Sequence, residues 1–454
     1  MQIINPATEA VISILEEDTT ENLQKKFKIL LAGQKSWAKM ALKKRIAIIE
    51  KFSELLTENI ELLSATLTSE MGKPLQQARN EVNGAKTRIN YFVENSQKYL
   101  KDEVVTRQEG LTERISYEPL GVVCNISAWN YPFLVGVNVF IPALIAGNAV
   151  MYKPSEFSTL TGLMIEKLLK EAGVPSNVFV VAIGAKEVGE QLLKIPFDGY
   201  FFTGSYRTGL HIYEKVAPKM VVCQLELGGK DPLYVTDDIA DIGAVAAGTA
   251  DGAFYNNGQS CCAVERIYVH EKVYDQYVAE FVKEVKSYKI GQPTLDGVYI
   301  GALSRKSQLV FLEKQVQDAL KKGATLLTGG RAIDQKGYFF EPTVLINVTH
   351  KMDVMCEESF GPIIGIMKVK NDKEAIKLMQ DTEYGLTAAV YAADRKRAEK
   401  ILNQLDAGSA YWNCCDRVSA PLPWSGRKNS GFGTTLSHAG IRAFVKPKAW
   451  HLRS

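Results

Sequence analysis

The sequence predicts an α/β protein made of two parallel sheets, each covered by helices, together with a small β arm. Three observations carry that prediction. From residue 120 to 226, short apolar runs (GVVCNISA, NAVMYKP, NVFVVAIG, DGYFFTG, KMVVCQLEL) alternate with helical stretches such as STLTGLMIEKLLKEAG, the rhythm of parallel strands joined by covering helices. After Gly228-Gly229 a second series runs from DPLYVTD and DIGAVAAGTADGAFYNN through ERIYVHEKVYDQYVAEFVKEVKSY to IIGIMKV, KEAIKLMQ and TAAVYAA. GLTERISYEP, residues 110–119, alternates like an exposed strand, and AFVKPKAW near the C-terminus is its expected partner.

The remaining elements follow from periodicity. Across residues 20–103, apolar positions recur three and four apart in KKRIAIIEKFSELLTENIELLSATLTSEMGK, and QQARNEVNGAKTRINYFVENSQKYL continues the pattern, which predicts a helical entry segment. The expected division is residues 1–104 with 120–226 as one domain, 227–428 as a second, and 105–119 with 429–454 as the arm. A chain of 454 residues is long enough for two or three well-buried cores.

Composition excludes several classes. With 46% apolar and 23% charged residues, the chain has the balance of a folded protein rather than a disordered one. Its 54 basic residues are interspersed with 51 acidic ones, leaving a net charge of +3 and no basic tract for nucleic acid. No apolar stretch reaches the ~18 residues of a membrane span, and MQIINPATEAVISILEED lacks the form of a secretory signal. A cytoplasmic protein is expected. The seven cysteines, Cys124, Cys223, Cys261, Cys262, Cys356, Cys414 and Cys415, are odd in number and lack C-x-x-C spacing, which suits neither a disulfide framework nor a zinc site. Most should be buried thiols, and one could be reactive.

Position singles out a few polar residues. FYNNGQSC, residues 254–261, sets Cys261 after a glycine turn, a small and flexible approach of the kind a thiolate nucleophile needs, although adjacent Cys262 could compete. Glu226 interrupts the apolar run VVCQLEL just before two glycines; it is either a solvated side chain or a buried carboxylate whose pKa is raised into the range of a general base. Asn130 in AWNYP can donate an amide hydrogen bond to an oxyanion, or simply cap a turn. Lys153 and Glu156 in MYKPSE could bond ribose hydroxyls. FFTGSYRTG ends a strand at Gly204 and opens a helix at Ser205, presenting free N–H groups to a pyrophosphate. Neither segment is a G-x-G-x-x-G fingerprint, and each alone also reads as a loop or a capped helix.

Together, and in this order, these segments resemble the aldehyde dehydrogenase superfamily over essentially the whole chain. The resemblance implies a Rossmann-like cofactor domain, an α/β catalytic domain and a small β arm for oligomerisation. FYNNGQSC matches the family's F-x-N-x-G-Q-x-C, making Cys261 the catalytic thiol; LELGG makes Glu226 the base, and AWNYP makes Asn130 the oxyanion donor with Trp129 beside the cofactor. KPSE implies that Lys153 and Glu156 hold the cofactor ribose, and FTGS puts Gly204 and Ser205 at the pyrophosphate. EESFGP, residues 357–362, resembles E-x-F-G-P, so that Glu358 holds the nicotinamide ribose and Phe360 packs near the ring. The implied reaction passes through a thiohemiacetal and a thioester on Cys261, which water activated by Glu226 hydrolyses. Relatives that transfer the acyl group to coenzyme A generally lack that glutamate. A carboxylate at 156 favours NAD over NADP, because it would repel a 2′-phosphate.

Five residues are expected around the aldehyde: Tyr131, Asn138, Tyr255, Arg417 and Trp424. Asn138 stands where succinic semialdehyde dehydrogenases often have arginine and betaine-aldehyde or aminoaldehyde members tryptophan, and Tyr255 also replaces an arginine of some semialdehyde enzymes. Arg417 could supply a cation, though such a loop arginine is more often solvated. PWSG around Trp424 resembles the PWGG of aminoaldehyde enzymes. These positions favour a small neutral or aminated aliphatic aldehyde over succinic semialdehyde. Near the C-terminus, GFGTTLSHAG replaces the family's G-x-G-R-E, so Thr434 and Thr435 are expected to alter the subunit contact. Family members usually form dimers or dimers of dimers through the arm, so a homodimer or homotetramer is expected. The competing readings are a crystallin-like member without turnover and a cofactor-free thiol hydrolase; the first would lack Cys261, Glu226 or Asn130, and the second leaves the KPSE, FTGS and EESFGP segments without a purpose.

Overall fold

The computed structural model describes residues 1–454. Strands Val122–Ile126, Ala149–Lys153, Phe179–Val181, Gly199–Thr203 and Val222–Glu226 lie parallel in one sheet. Val122–Ile126 is central; the chain runs outward from it to 149–153 and 179–181 on one side, then returns to 199–203 and 222–226 on the other. The loops that leave Val122–Ile126 and Gly199–Thr203 therefore diverge, opening a crevice at the carboxyl ends of the strands, where open α/β sheets bind ligands. Helices cover both faces, and Val123, Val150 and Tyr200 are buried. That burial is why these strands read as continuous apolar runs rather than alternating ones.

The second series builds a seven-stranded sheet in the order 325–328, 343–346, 363–369, 266–270, 232–235, 387–391, 409–412. Only Thr325–Thr328 runs antiparallel to its neighbour. It, Thr343–Ile346 and Ser409–Trp412 lie outside the apolar runs noted above, because each is four residues long and too short for periodicity to register.

The expected helical entry segment comprises Thr20–Lys39, Leu42–Glu58, Ile60–Met71 and Leu75–Tyr99. The last of these buries Ala78, Glu81, Val82, Ala85, Arg88, Ile89 and Phe92, a stripe at helical spacing that includes two charged residues. In the arm, Glu103–Gln108, Leu111–Pro119 and Val445–Arg453 form an antiparallel sheet, with Trp450 opposite Arg114.

Two boundaries differ from expectation. Residues 429–454 do not all belong to the arm: Gly431–Phe432 pairs with the free edge of Val222–Glu226, Gly431 opposite Glu226, and Ser437–Arg442 is a helix packed near Leu75–Tyr99. A Cβ at Gly431, whose φ is +104°, would lie 2.0 Å from the Leu225 carbonyl oxygen, so glycine permits this close pairing. At the other end, the helices of residues 20–99 share the first sheet's core, but the N-terminal segment reaches the second half. Ala7 packs with Ala302 and Phe339, and the Tyr338 N–H donates to the Pro6 carbonyl at 2.8 Å.

Candidate active site

The segment that carries Cys261 begins where the helix Ile242–Phe254 stops. Asn256, Asn257 and Gly258 follow with φ of +55°, +58° and +70°, three left-handed residues in succession, which asparagine tolerates better than other non-glycine residues. At Gly258 a Cβ would sit 2.3 Å from the Gly361 carbonyl oxygen. The sequence suggested a flexible approach; the structure shows a pinned one. Asn257 Nδ2 donates to Ala302 O at 2.9 Å, the Gly301 N–H donates to Asn257 Oδ1 at 2.8 Å, and the Ser304 N–H donates to Gln259 Oε1 at 3.1 Å. The reversal costs conformational freedom, and these amides offset that cost.

Cys261 is half-buried and lines two cavities at once, whereas Cys262 is buried and faces only one of them. Cys262 Sγ donates to Asp416 Oδ1 at 3.0 Å. Its thiol is pushed well above the ordinary range by its hydrogen bond with Cys261, by burial and by the Asp416 carboxylate. Cys262 is therefore held protonated, and the thiol open to both cavities is Cys261.

Glu226, the last residue of its strand, is buried and also lines both cavities. Burial raises its pKa to about 7, against the lowering effects of hydrogen bonds from Thr435 and Gln224 and of the Arg88 charge. Thr435 Oγ1 donates to Glu226 Oε1. This corrects the expectation for GFGTTLSHAG: Thr435 is buried against the carboxylate, so the departure from the family pattern touches Glu226 and not only a subunit contact. The buried Asn130 donates Nδ2 to Gln259 O at 3.1 Å, which fixes its plane. A primary amide carries two hydrogens, so one donor remains for an oxyanion.

One cavity, of about 580 Å³, opens at the carboxyl ends of the first sheet's strands and is lined by Trp129, Lys153, Glu156, Gly204, Ser205, Glu358 and Phe360 among others. All the residues expected to hold a cofactor meet here. Lys153 Nζ is 4.0 Å from Glu156 Oε2. Ser205 caps the helix Tyr206–Val216, whose N-terminus faces the cavity. Glu358 accepts from the Gly229 N–H at 3.1 Å, and burial raises its pKa to about 8; a Cβ at Gly228 would lie 2.2 Å from its Oε1. Phe360, at φ +48°, meets Trp129 edge-on with ring centroids 5.4 Å apart. Sequence reading missed Arg305, which sits 5.1 Å from the Trp129 ring and has a buried Nε without a protein partner. A glycine-lined wall, a helix N-terminus and an unpartnered guanidinium N–H fit an anionic dinucleotide.

The other cavity, of about 480 Å³, is lined by Tyr131, Asn138, Tyr255, Arg417 and Trp424, the five residues expected around the aldehyde. Arg417 is exposed at its rim. Tyr255 OH accepts from Asn80 Nδ2 at 3.1 Å. Beneath Tyr131 lies a fully buried ion pair, Lys73 with Glu81, and Lys73 Nζ also donates to Asn130 O at 2.8 Å. Four charged residues of this wall escaped the sequence reading: Glu81, Arg88, Asp251 and Asp416. Arg88 donates Nη1 to Leu134 O and Asn138 Oδ1, each at 3.0 Å. The signal for Glu81 and Arg88 was a pair of charges seven apart on the apolar stripe of one helix.

A thiol between two cavities, one of them suited to a dinucleotide, beside a carboxylate poised near neutrality, is an arrangement that suits a nicotinamide-dependent dehydrogenase. The aldehyde dehydrogenase family matches residues 1–450, and the chain belongs to that family. It is 34% identical to the succinate-semialdehyde dehydrogenase [NADP(+)] of Deinococcus radiodurans over 91% of this chain and 87% of that protein. It is likewise 34% identical to the peroxisomal aminoaldehyde dehydrogenase 1 of Pisum sativum over 98% of this chain and 91% of that one. Among solved structures, PnpE in complex with nicotinamide adenine dinucleotide superposes with a TM-score of 0.96 at 28% identity, covering 100% of this chain and 94% of that one. The chain thus has the aldehyde dehydrogenase fold and carries out NAD(P)-dependent oxidation of an aldehyde. No helix is long and apolar enough to cross a membrane.

Proposed function

We propose that the enzyme releases its product as a free carboxylic acid, with Cys261 as nucleophile, Asn130 as oxyanion donor and Glu226 as base. The observation that carries this reading is that Cys261 and Glu226 both line the two cavities. Cys261 Sγ attacks the aldehyde carbon, and the resulting oxyanion accepts from Asn130 Nδ2 and the Cys261 backbone N–H. A nicotinamide cofactor in the larger cavity supplies the hydride acceptor. The thioester left on Cys261 is attacked by water, whose proton passes to Glu226 as the acid departs. Buried and near pKa 7, Glu226 holds and releases a proton within the working range.

NAD is the proposed preference. The half-buried Glu156 carboxylate beside Lys153 suits a 2′-hydroxyl and disfavours a 2′-phosphate. The three-stranded arm, with Val104 and Val105 exposed, supports assembly into a dimer or tetramer. Seven unpaired cysteines suit a reducing compartment such as the cytoplasm. The test is absorbance at 340 nm across an aldehyde panel with each cofactor. NADH formed in step with acid supports the reading; ester cleavage without NADH formation from any aldehyde overturns it.

A further inference from the structure

The aldehyde cavity is walled by four carboxylates, Glu81, Glu226, Asp251 and Asp416, and two guanidinium groups, Arg88 and Arg417. Each carboxylate already has a partner. Glu81 pairs with Lys73, Glu226 accepts from Thr435, Asp251 accepts from Tyr299 OH at 2.5 Å, and Asp416 accepts from Ser260 Oγ and Cys262 Sγ, both at 3.0 Å. Arg88 is different. It is only 9% exposed, it forms no ion pair, and its hydrogen bonds to Leu134 O and Asn138 Oδ1 use Nη1 alone. Nε and Nη2 are left without a protein acceptor. Nearby carboxylates act on Arg88 only at a distance, without a direct ion pair, and a guanidinium offers its free donors as a planar fork that matches a carboxylate.

Positions 138 and 255 of this cavity carry asparagine and tyrosine, neither of them a cation. The cation comes instead from the helix Leu75–Tyr99, through a residue that reaches position 138 and is oriented by it. We propose that Arg88 is a specificity-determining residue, and that the substrate is a short aliphatic aldehyde bearing a carboxylate at its far end. This rests on the reading of Cys261 as the nucleophile. Arg88 and Cys261 line the same cavity, of about 480 Å³, which keeps the chain between carbonyl and carboxylate short. An aminated tail would bring a second cation against Arg88.

The experiment compares kcat/KM for succinic semialdehyde, butanal and 4-aminobutanal in the wild type, Arg88→Met and Arg88→Lys. The wild type should prefer the carboxylated aldehyde to butanal by at least about tenfold, the scale of a hydrogen-bonded charge pair. Arg88→Met should reduce that ratio by about tenfold, mainly through KM, and Arg88→Lys should retain part of it. An unchanged ratio, or an equal fall for all three aldehydes, would overturn the proposal. If the wild type oxidises none of them, the reading of Cys261 is what has failed. Should the variants not fold, butyrate and butylamine serve as inhibitors of butanal oxidation in the wild type. Butyrate should compete with butanal and butylamine should not; the reverse overturns the assignment of Arg88.

Discussion

The two cavities that share Cys261 are built in different ways. The cofactor side is assembled where strands end: Lys153, Gly204 and Glu226 lie at or just past the carboxyl ends of neighbouring strands, and backbone geometry does much of the positioning. The aldehyde side is assembled from surfaces, with Arg88 from one helix, Asn138 from another, Tyr255 from a turn and Trp424 from a distant loop. Strand ends tie function to contiguous segments; packed surfaces scatter it. On the proposed reading, chemistry and cofactor binding follow from the scaffold, while the tail of the aldehyde is selected by side chains that can change one at a time.

That contrast orders the expected effects. Cys261→Ser removes the nucleophile and should lower NADH formation by at least about 10³-fold, whereas Cys262→Ser should leave substantial activity; the opposite pattern in a 340 nm assay would exchange their roles. Asn130→Ala removes an oxyanion donor and should lower kcat by about 10²–10³-fold, with every aldehyde affected alike because the oxyanion is common to all. On the cofactor side, Glu156→Ser should raise the kcat/KM ratio of NADP to NAD by about tenfold; a ratio that stays put would remove Glu156 from cofactor choice.

The smallest effect concerns Thr435. Its hydroxyl donates to the ionised form of Glu226 and so lowers that carboxylate's pKa, which burial has raised to about 7. Below that pH Glu226 is protonated and cannot take a proton from water, so deacylation should rise with pH through about 7. Thr435→Val should move the midpoint upward by roughly half to one pH unit, and Thr435→Ser should restore it. A midpoint that moves down, or does not move, would show that the hydroxyl does not act on Glu226.

The same contrast explains what could be read from the sequence. Most of the strand and helix succession of both sheets was legible because buried parallel strands leave unbroken apolar runs; the four-residue strands Thr325–Thr328, Thr343–Ile346 and Ser409–Trp412 were not. The segments that bring Cys261, Glu226, Asn130 and Lys153 to the cavities were legible as well, because each is a contiguous motif. Arg88 was not, since its role depends on which face of a helix meets a cavity formed by other elements. Thr435 escaped for a related reason: it reaches Glu226 only through the pairing of Gly431–Phe432 with the sheet edge, a two-residue strand with no periodicity of its own. Asp416 became visible only when the fold set it against Cys262.

The central claim is that an acyl group rests on Cys261 until Glu226 activates water. Glu226→Gln mixed rapidly with NAD and an aldehyde tests it most directly, with NADH followed by absorbance and the protein followed by mass. Expected are a burst of about one NADH per active site, a steady-state rate lowered by about 10²–10⁴-fold, and an acyl group that fragmentation assigns to Cys261. An undiminished steady-state rate, or an acyl group on Cys262, would contradict it.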